Sequence, residues 1–454
     1  MNRTVTTPRG PLWVLAALLC LVFLTGGSTW ASEPQLMLLR PAALVAAALA
    51  LLTLQVEHVR RHAAICALFG AAALLTMLHL VPLPFAWWSA LPGRGILVDI
   101  DAAVGLGQIA RPLSMSPDAT LNALYALSVP LAVLLLAVQL GTDAQRRILL
   151  VVLGLSLLSA LVGLLQAAGS DIALYPLQTE TSGLFANRNH QAALLAMILP
   201  IAAAASLIGP GGARRQRWRS LAGAALACIV VPLLVVTGSR TGLVLLAVAL
   251  AFAALIWVRR RTAEGADWAV RIVTPLAFLG LALGLVGVTV LAARDVAIDR
   301  LQQAGEDLRL PVWQSIADML PAYLPWGTGI GSYAEAYQVL EPEFLLRPSF
   351  SNHAHNELLE VALTAGLPGL AIMALAGLAL VYALRGAFAP GSGAAPAATL
   401  ARLGCVLMVI LLVASASDYP ARTPIMSALL ALAAVWATRS GEPGADKDGA
   451  GAVP

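Results

Sequence analysis

Long apolar segments, almost free of charge, return along the whole chain at 11–30, 36–56, 63–81, 119–140, 148–168, 191–209, 221–237, 242–258, 272–293, 357–384, 402–417 and 422–438. A helix of about 20 such residues crosses a hydrocarbon layer about 30 Å thick, and lipid tolerates no open-edged alternative for a spanning backbone. The pattern therefore predicts an all-α, polytopic integral membrane protein with about 12 transmembrane helices. Composition agrees, with 59% of 454 residues hydrophobic, 11% charged and a mean hydropathy of +0.83, values outside those of soluble domains. The first segment is long for a signal peptide and further spans follow it directly, so it reads as the first span.

Lys and Arg resist translocation and collect in cytoplasmic loops. Arg60 and Arg61, Arg146 and Arg147, the group Arg214, Arg215, Arg217 and Arg219, and the run Arg259, Arg260 and Arg261 fall in alternate connections. These loops are expected inside, together with both termini. The segments 82–118, 169–190, 238–241, 294–356 and 418–421 are then expected to face outward. The net charge of +4 and pI near 9.1 reflect arginines spread over the inner loops, which topology and anionic lipid explain without nucleic acid. Cys20, Cys66, Cys228 and Cys405 lie in apolar segments without CxxC spacing and read as packing residues. The expected organisation is an N-terminal bundle at 1–170, a central region at 171–385 containing the large loop 294–356, a C-terminal pair of spans at 386–440 and a disordered tail at 441–454. Within the third of these, the Gly-, Ala- and Pro-rich stretch 386–400 is expected to be a flexible inner connection.

The large outward loop carries Trp313, Tyr323, Trp326, Tyr333, Tyr337, Phe344 and Phe350. So many aromatics predict folding against the membrane surface. Near-helical apolar spacing over 295–320 predicts one or two short amphipathic helices there. The cations of the outward segments and adjoining span ends are Arg188, Arg240, Arg294, Arg300, Arg309, Arg347 and Arg422, with no lysine among them. A guanidinium stays charged at any working pH and binds phosphate or carboxylate oxygens in a bidentate way.

Arg188 in GLFANRNHQ and Arg240 in TGSRTG stand where short outward turns meet apolar helices. One reading makes them lipid-headgroup anchors. The other makes them ligand-binding groups, favoured by the polar neighbours Asn187, Asn189, His190, Ser239 and Thr241. SNHAHNELLE at 351–360 poses a sharper question, since two histidines and two glutamates precede a long apolar run. Asn356 is placed to cap the following helix, with Glu357 and Glu360 in its first turn complementing the helix dipole. His353 and His355 are not explained that way, and an imidazole at an interface can take a proton from a hydroxyl nucleophile. As metal ligands the histidines lack a convincingly spaced third partner, although Glu357, Glu360 and Asp418 are candidates, and no metal is expected. GTGIGS at 327–332 lacks the lysine and strand context of a phosphate loop and reads as a flexible turn. GLPG at 366–369 predicts a kink or short re-entrant piece early in the span.

Taken in order, GLFANRNHQAALLAMILP, TGSRTGLVLL, LRLPVWQSIADMLPAYLPWGTGIGSYAEAY and HAHNELLEVALTAGLPG resemble the O-antigen ligase and polymerase superfamily of bacterial envelope glycosyltransferases, over roughly residues 180–370. The resemblance implies a multi-pass protein of the bacterial inner membrane with its active site in the periplasm. It implies transfer of a glycan from undecaprenyl diphosphate to an acceptor hydroxyl, either lipid A core or a growing glycan, with inversion and without a metal or other cofactor. Implied catalytic residues are Arg188, Arg240 and His355. Implied substrate-binding residues are Arg309 and Asn356; the neighbouring polar groups Asn187, Asn189, His190, Glu357 and His353 are expected to join them, with Glu357 or Asn356 as the partner expected to orient His355. ELLE after the His–Asn pair and the additional His353 depart from the family pattern. A lipid-linked oligosaccharide flippase or transporter is the rival class, although it would need charges inside several spans, where this chain has almost none.

Overall fold

The computed structural model describes residues 9–176, 178, 181–209, 211–265, 267–292, 308–346 and 351–438. Its helices are α1 (Arg9–Thr25), α2 (Leu36–Leu51), α3 (Val56–Arg61), α4 (Ala63–Leu78), α5 (Phe85–Trp88), α6 (Gly95–Ala103), α7 (Pro117–Ala126), α8 (Ser128–Ala137), α9 (Thr142–Ala167), α10 (Arg188–Ile208), α11 (Ala213–Val236), α12 (Arg240–Ala263) and α13 (Trp268–Ala292). There follow α14 (Arg309–Tyr323), α15 (Tyr333–Leu340), α16 (Glu357–Ala387), α17 (Pro396–Ser415) and α18 (Pro424–Ala437). Among the described residues, seven helices are long and apolar enough to cross a membrane, with α7 and α8 continuous as one of them, and five further apolar helices are shorter. Each of the twelve expected segments falls on one of these. A two-residue antiparallel ribbon, Pro82–Leu83 against Arg111–Pro112, is the one strand pairing among the described residues.

Helix α10 forms the centre and packs against α9, α11, α12 and α17. Its run of alanines lets neighbouring backbones approach closely, and nearly every side chain from His190 to Ile208 is buried. Connections expected to share a side of the membrane meet at a common end of the bundle. At one end Ile425 N–H donates to Gly26 O (3.1 Å) and Ala186 N–H to Gly27 O (3.0 Å). At the other, His62 Nδ1 lies 2.6 Å from Thr438 Oγ1 and Trp436 Nε1 donates to Gln145 Oε1 (2.8 Å).

The large loop folds on a small core of its own, in which Ile316, Met319, Tyr323, Tyr333 and Tyr337 gather around Ala354 and Leu363. The helix predicted over 295–320 is realised as α14 from Arg309 onward. Residues 295–307, and with them Arg300, lie outside the described residues, as do Arg294 and Arg347.

The predicted break in GLPG is present at Gly366, whose φ of 60° and ψ of −154° interrupt α16. A break in an apolar helix frees backbone groups that need partners. They come from the GTGIGS stretch, which is buried here rather than a loose turn. Thr328 N–H donates to Leu363 O (2.9 Å), Gly329 N–H to Thr364 O (2.8 Å), and Leu367 N–H to Pro325 O (2.9 Å). Thr328 and Ser332 are wholly buried. Ile330 N–H donates to His79 Nδ1 (3.0 Å), and Arg94 Nη2 to Gly327 O (3.0 Å), which ties the same loop to the N-terminal part of the chain. A Cβ on Gly366 would lie 2.1 Å from Pro325 O. Because this backbone region is open essentially to glycine alone, Gly366→Ala is expected to cost at least about 2 kcal/mol. A lowered melting temperature of the purified protein in detergent would register it.

Candidate functional site

Four helices begin at the end of the bundle that holds Gly26 and Ile425, and each start is capped by a side chain. Asn187 Oδ1 accepts from Asn189 N–H (2.8 Å), Ser239 Oγ from Gly242 N–H (3.0 Å), Asn356 Oδ1 from Leu359 N–H (3.1 Å), and Thr423 Oγ1 from Met426 N–H (3.3 Å). Arg188, Arg240 and Glu357 therefore occupy the first helical positions of α10, α12 and α16. Arg309 opens α14.

What joins these helix starts is the turn between α17 and α18, SASDYPARTP. Asp418 is its buried centre, with its side chain 2% exposed. Its Oδ2 accepts from Asn189 Nδ2 (2.6 Å) and faces Arg309 Nη2 at 3.8 Å. Its Oδ1 accepts from Tyr419 N–H (2.9 Å), and faces His355 Nδ1 at 3.3 Å and His190 Nε2 at 3.5 Å. Next to it Ser417 Oγ lies 2.8 Å from Thr241 Oγ1. Asn189 follows Arg188 in sequence and Thr241 follows Arg240, so the turn links both arginine-bearing helix starts to the loop histidine and to Arg309. Burial opposes ionisation of Asp418, but the surrounding imidazoles of His190 and His355 outweigh it and hold the carboxyl well below the usual carboxylate range.

Tyr419 packs inside this group. Its ring centre is 4.2 Å from that of His353, 4.8 Å from His355 and 5.1 Å from His190, so three of the six histidines in the chain surround one phenol. Burial pushes the phenol pKa up and Asp418 adds to the effect, which keeps Tyr419 neutral.

A second ionic group lies beneath the first. Arg422 makes a bidentate pair with Glu357, Nε to Oε1 at 2.7 Å and Nη2 to Oε2 at 2.8 Å, while its Nη1 is 3.0 Å from Glu360 Oε1. Glu360 in turn meets His353 Nδ1 at 2.9 Å and accepts from Ala354 N–H at 2.9 Å. Trp313 Nε1 donates to Ala354 O (2.9 Å), so α14 holds the same segment from its other side. His355 projects from this frame with φ of 51°, a left-handed conformation unusual for a residue with a side chain, and is 31% exposed.

The expected site residues thus divide into two kinds. His355, Arg188, Arg309, Asn187 and Asn189 are partly accessible around Asp418, and Arg240 is exposed at the next helix start. His190 is buried at 2% and packs edge-on to Phe185 and Tyr419, so it supports the turn from within rather than lining a surface. His353 is bound to Glu360. The partner expected for His355 was Glu357 or Asn356, but Glu357 is taken up by Arg422, Asn356 caps α16, and Asp418 lies beside the imidazole instead. Sequence reasoning left Asp418, Tyr419 and Glu360 without their present roles. The available signal was a pair of charges, Asp418 and Arg422, in a short turn between two apolar spans. Among the described residues no group of three or more His, Cys, Asp and Glu side chains is arranged to hold a metal ion.

Residues 223–374, about a third of the chain, match the O-antigen ligase family model. Over those residues the match supports the resemblance to the O-antigen ligase and polymerase superfamily. The match takes in Arg240, Arg309 and His355. It stops short of Arg188 on one side and Asp418 on the other, the two positions that the fold adds to the group. The match and the spanning helices together support a bacterial membrane protein of O-antigen ligase type. Comparison with curated proteins gives no match.

Two stability predictions concern this cluster. Removing Arg422 leaves Glu360 buried beside an unbalanced Glu357, so Arg422→Ala is expected to cost about 3–5 kcal/mol, and Arg422→Lys less, because it keeps the charge while losing the fork; thermal unfolding in detergent measures both. The folded pKa of Asp418 lies below its unfolded value of about 3.9. Its ionised form therefore contributes stability above that value, and the contribution is lost as pH falls through the depressed folded pKa. The difference in melting temperature between the native protein and Asp418→Asn should accordingly shrink below about pH 4.

Proposed function

We propose that the protein is a metal-independent, inverting glycosyltransferase of the inner membrane. It moves a glycan from undecaprenyl diphosphate to an acceptor hydroxyl on the periplasmic side, lipid A core or a growing surface polysaccharide being the acceptor. The observation that supports this reading is that His355, Arg309 and the helix starts bearing Arg188 and Arg240 all meet the single turn at Ser417–Asp418. Such a group unites cations for a diphosphate with an imidazole for a hydroxyl.

In the proposed reaction the acceptor oxygen attacks the anomeric carbon of the donor sugar from the face opposite the diphosphate. The bond from that carbon to the phosphate oxygen breaks, and its electron pair leaves with undecaprenyl diphosphate. Negative charge grows on the leaving oxygen as the bond lengthens. Guanidinium groups at the positive ends of α10 and α12 bind that charge more tightly in the transition state than in the ground state. Arg188 and Arg240 have this role, and Arg309 contacts the glycan or the diphosphate from the loop side.

The acceptor's proton passes to Nε2 of His355, the ring nitrogen turned away from Asp418. A carboxylate 3.3 Å from Nδ1 favours the tautomer with its proton on Nδ1 and stabilises the imidazolium that forms. Asp418 acts through His355 and is a positioning residue. Asn187, Asn189, Asn356 and Glu357 hold the frame, and the left-handed backbone at residue 355 keeps the imidazole at the rim of the site.

Complementation of a deletion strain tests the assignment, with surface polysaccharide resolved on gels and lipid-linked polymer quantified. His355→Ala, Arg188→Ala and Arg240→Ala are each expected to reduce transfer by about 10²-fold or more at normal protein levels, with lipid-linked donor accumulating. Full transfer by all three variants would refute the reading. Purified protein in liposomes with donor on one face separates catalysis from transport, since a flippase would move the donor without forming a glycosidic bond.

A further inference from the structure

Away from the site just described, the bundle contains an elongated slot of about 500 Å³ between α10, α11, α12 and α13. Helix α12 lines it from Leu243 to Trp257, about 21 Å of helix at ~1.5 Å per residue. By contrast α10 and α11 contribute only Leu199–Ser206 and Ser220–Ala227, the halves nearest the 209–219 loop. The wall is almost entirely Ala, Gly and Leu, smooth and narrow, and its volume is within the range of small-molecule pockets, ~300–1,000 Å³. Such a shape suits one hydrocarbon chain.

Polar groups occur chiefly at the end of the slot near Ser220 and Trp257. The Arg261 guanidinium sits 5.3 Å from the centre of the Trp257 ring. Ser220 Oγ, Arg260 Nη1 and Arg261 Nε are buried and have no protein hydrogen-bond partner. Four arginines at 214, 215, 217 and 219 and three at 259–261 gather at this end, and Arg146 and Arg215 are near enough to Arg219 to repel it. Glu264 answers two of them, accepting from Arg260 Nε (2.8 Å) and Arg261 Nη1 (3.2 Å). Excess positive charge around buried, unsatisfied donors at the mouth of an apolar slot calls for an anion with a hydrocarbon tail.

We infer that this slot binds an anionic phospholipid of the leaflet facing the 209–219 and 259–267 loops. One acyl chain lies between α11, α12 and α13, and the phosphate meets Ser220, Arg260 and Arg261. The position of the mouth separates this lipid from the proposed donor, whose diphosphate belongs at Arg240, the opposite end of α12. On that side the slot has only α12 and α13 as walls, at Leu243 and Val286.

Native mass spectrometry of the full-length protein, delipidated in detergent and offered phosphatidylglycerol, phosphatidylcholine or undecaprenyl phosphate in separate arms, tests the inference. One phosphatidylglycerol should be retained at least tenfold better than phosphatidylcholine. The double variant R260Q/R261Q, on the loop-facing end of α12, should lose about tenfold of that retention with its melting profile intact, and Ala251→Phe should block the slot directly. Arg240→Ala should retain phosphatidylglycerol like the native protein. Equal retention of the two phospholipids, or undiminished retention in R260Q/R261Q, overturns the inference. Displacement of phosphatidylglycerol by undecaprenyl phosphate also overturns it and assigns the slot to the donor tail.

Discussion

A carboxylate removed from water is costly unless several donors surround it, and the donors around Asp418 come from four places in the chain. They are the start of α10, the loop before α16, the start of α14 and the turn's own backbone. Satisfying one buried charge therefore sets the relative positions of segments separated by up to 229 residues. A buried ion pair stabilises a fold little better than apolar packing of the same volume would. What the arrangement provides is position, because each segment that reaches Asp418 or its neighbour Ser417 carries a cation or an imidazole one residue away or at the contact itself.

The same constraint acts through the break in α16. Were that helix continuous from Glu357, its first turns would project along the axis of the remainder. Gly366 turns them aside, and the buried 325–332 loop takes up the backbone groups of Leu363, Thr364 and Leu367 that the turn sets free. Glu357 and Glu360 can then both face Arg422 across the α17–α18 turn. The anchored Glu360 in turn fixes His353 and Ala354, and this leaves His355 outermost. The chain of causes runs from one glycine through two ion pairs to the placement of an imidazole.

Much of this was readable in advance, and for definite reasons. Apolar runs long enough to span a bilayer need only composition and length to be seen, and all twelve coincide with apolar helices. Asn187, Ser239 and Asn356 announce helix starts by local chemistry, within two or three residues of the groups they cap. Gly366 and Pro368 announce a kink in the same way. Pairings between distant turns carry no such local sign. Nothing in ELLE distinguishes a glutamate that orients His355 from one that binds Arg422, 65 residues on. Nor does GTGIGS reveal that its amides satisfy a broken helix, since glycine-rich composition is equally that of a loose loop. The role of His190 was obscured for a related reason. A polar residue at a helix start reads as surface until the turn that covers it is known.

The location of Asp418 also bears on how the catalytic region is bounded. The stretch that matches the O-antigen ligase family contains His355 but not the carboxylate beside it, and contains Arg240 but not Arg188. Helix α17 packs against α10, α12 and α16, α18 packs against α17, and their connecting turn supplies the buried charge. A fragment limited to the matched residues would present His355 with no anion at Nδ1 and would lack α10, and with it Arg188, altogether. The imidazole would then lack the carboxylate beside Nδ1 that orients it for the proposed proton transfer. Under the proposed function the working unit therefore includes the last two apolar helices, whose connecting turn belongs to the proposed site as fully as the loop that carries the histidine.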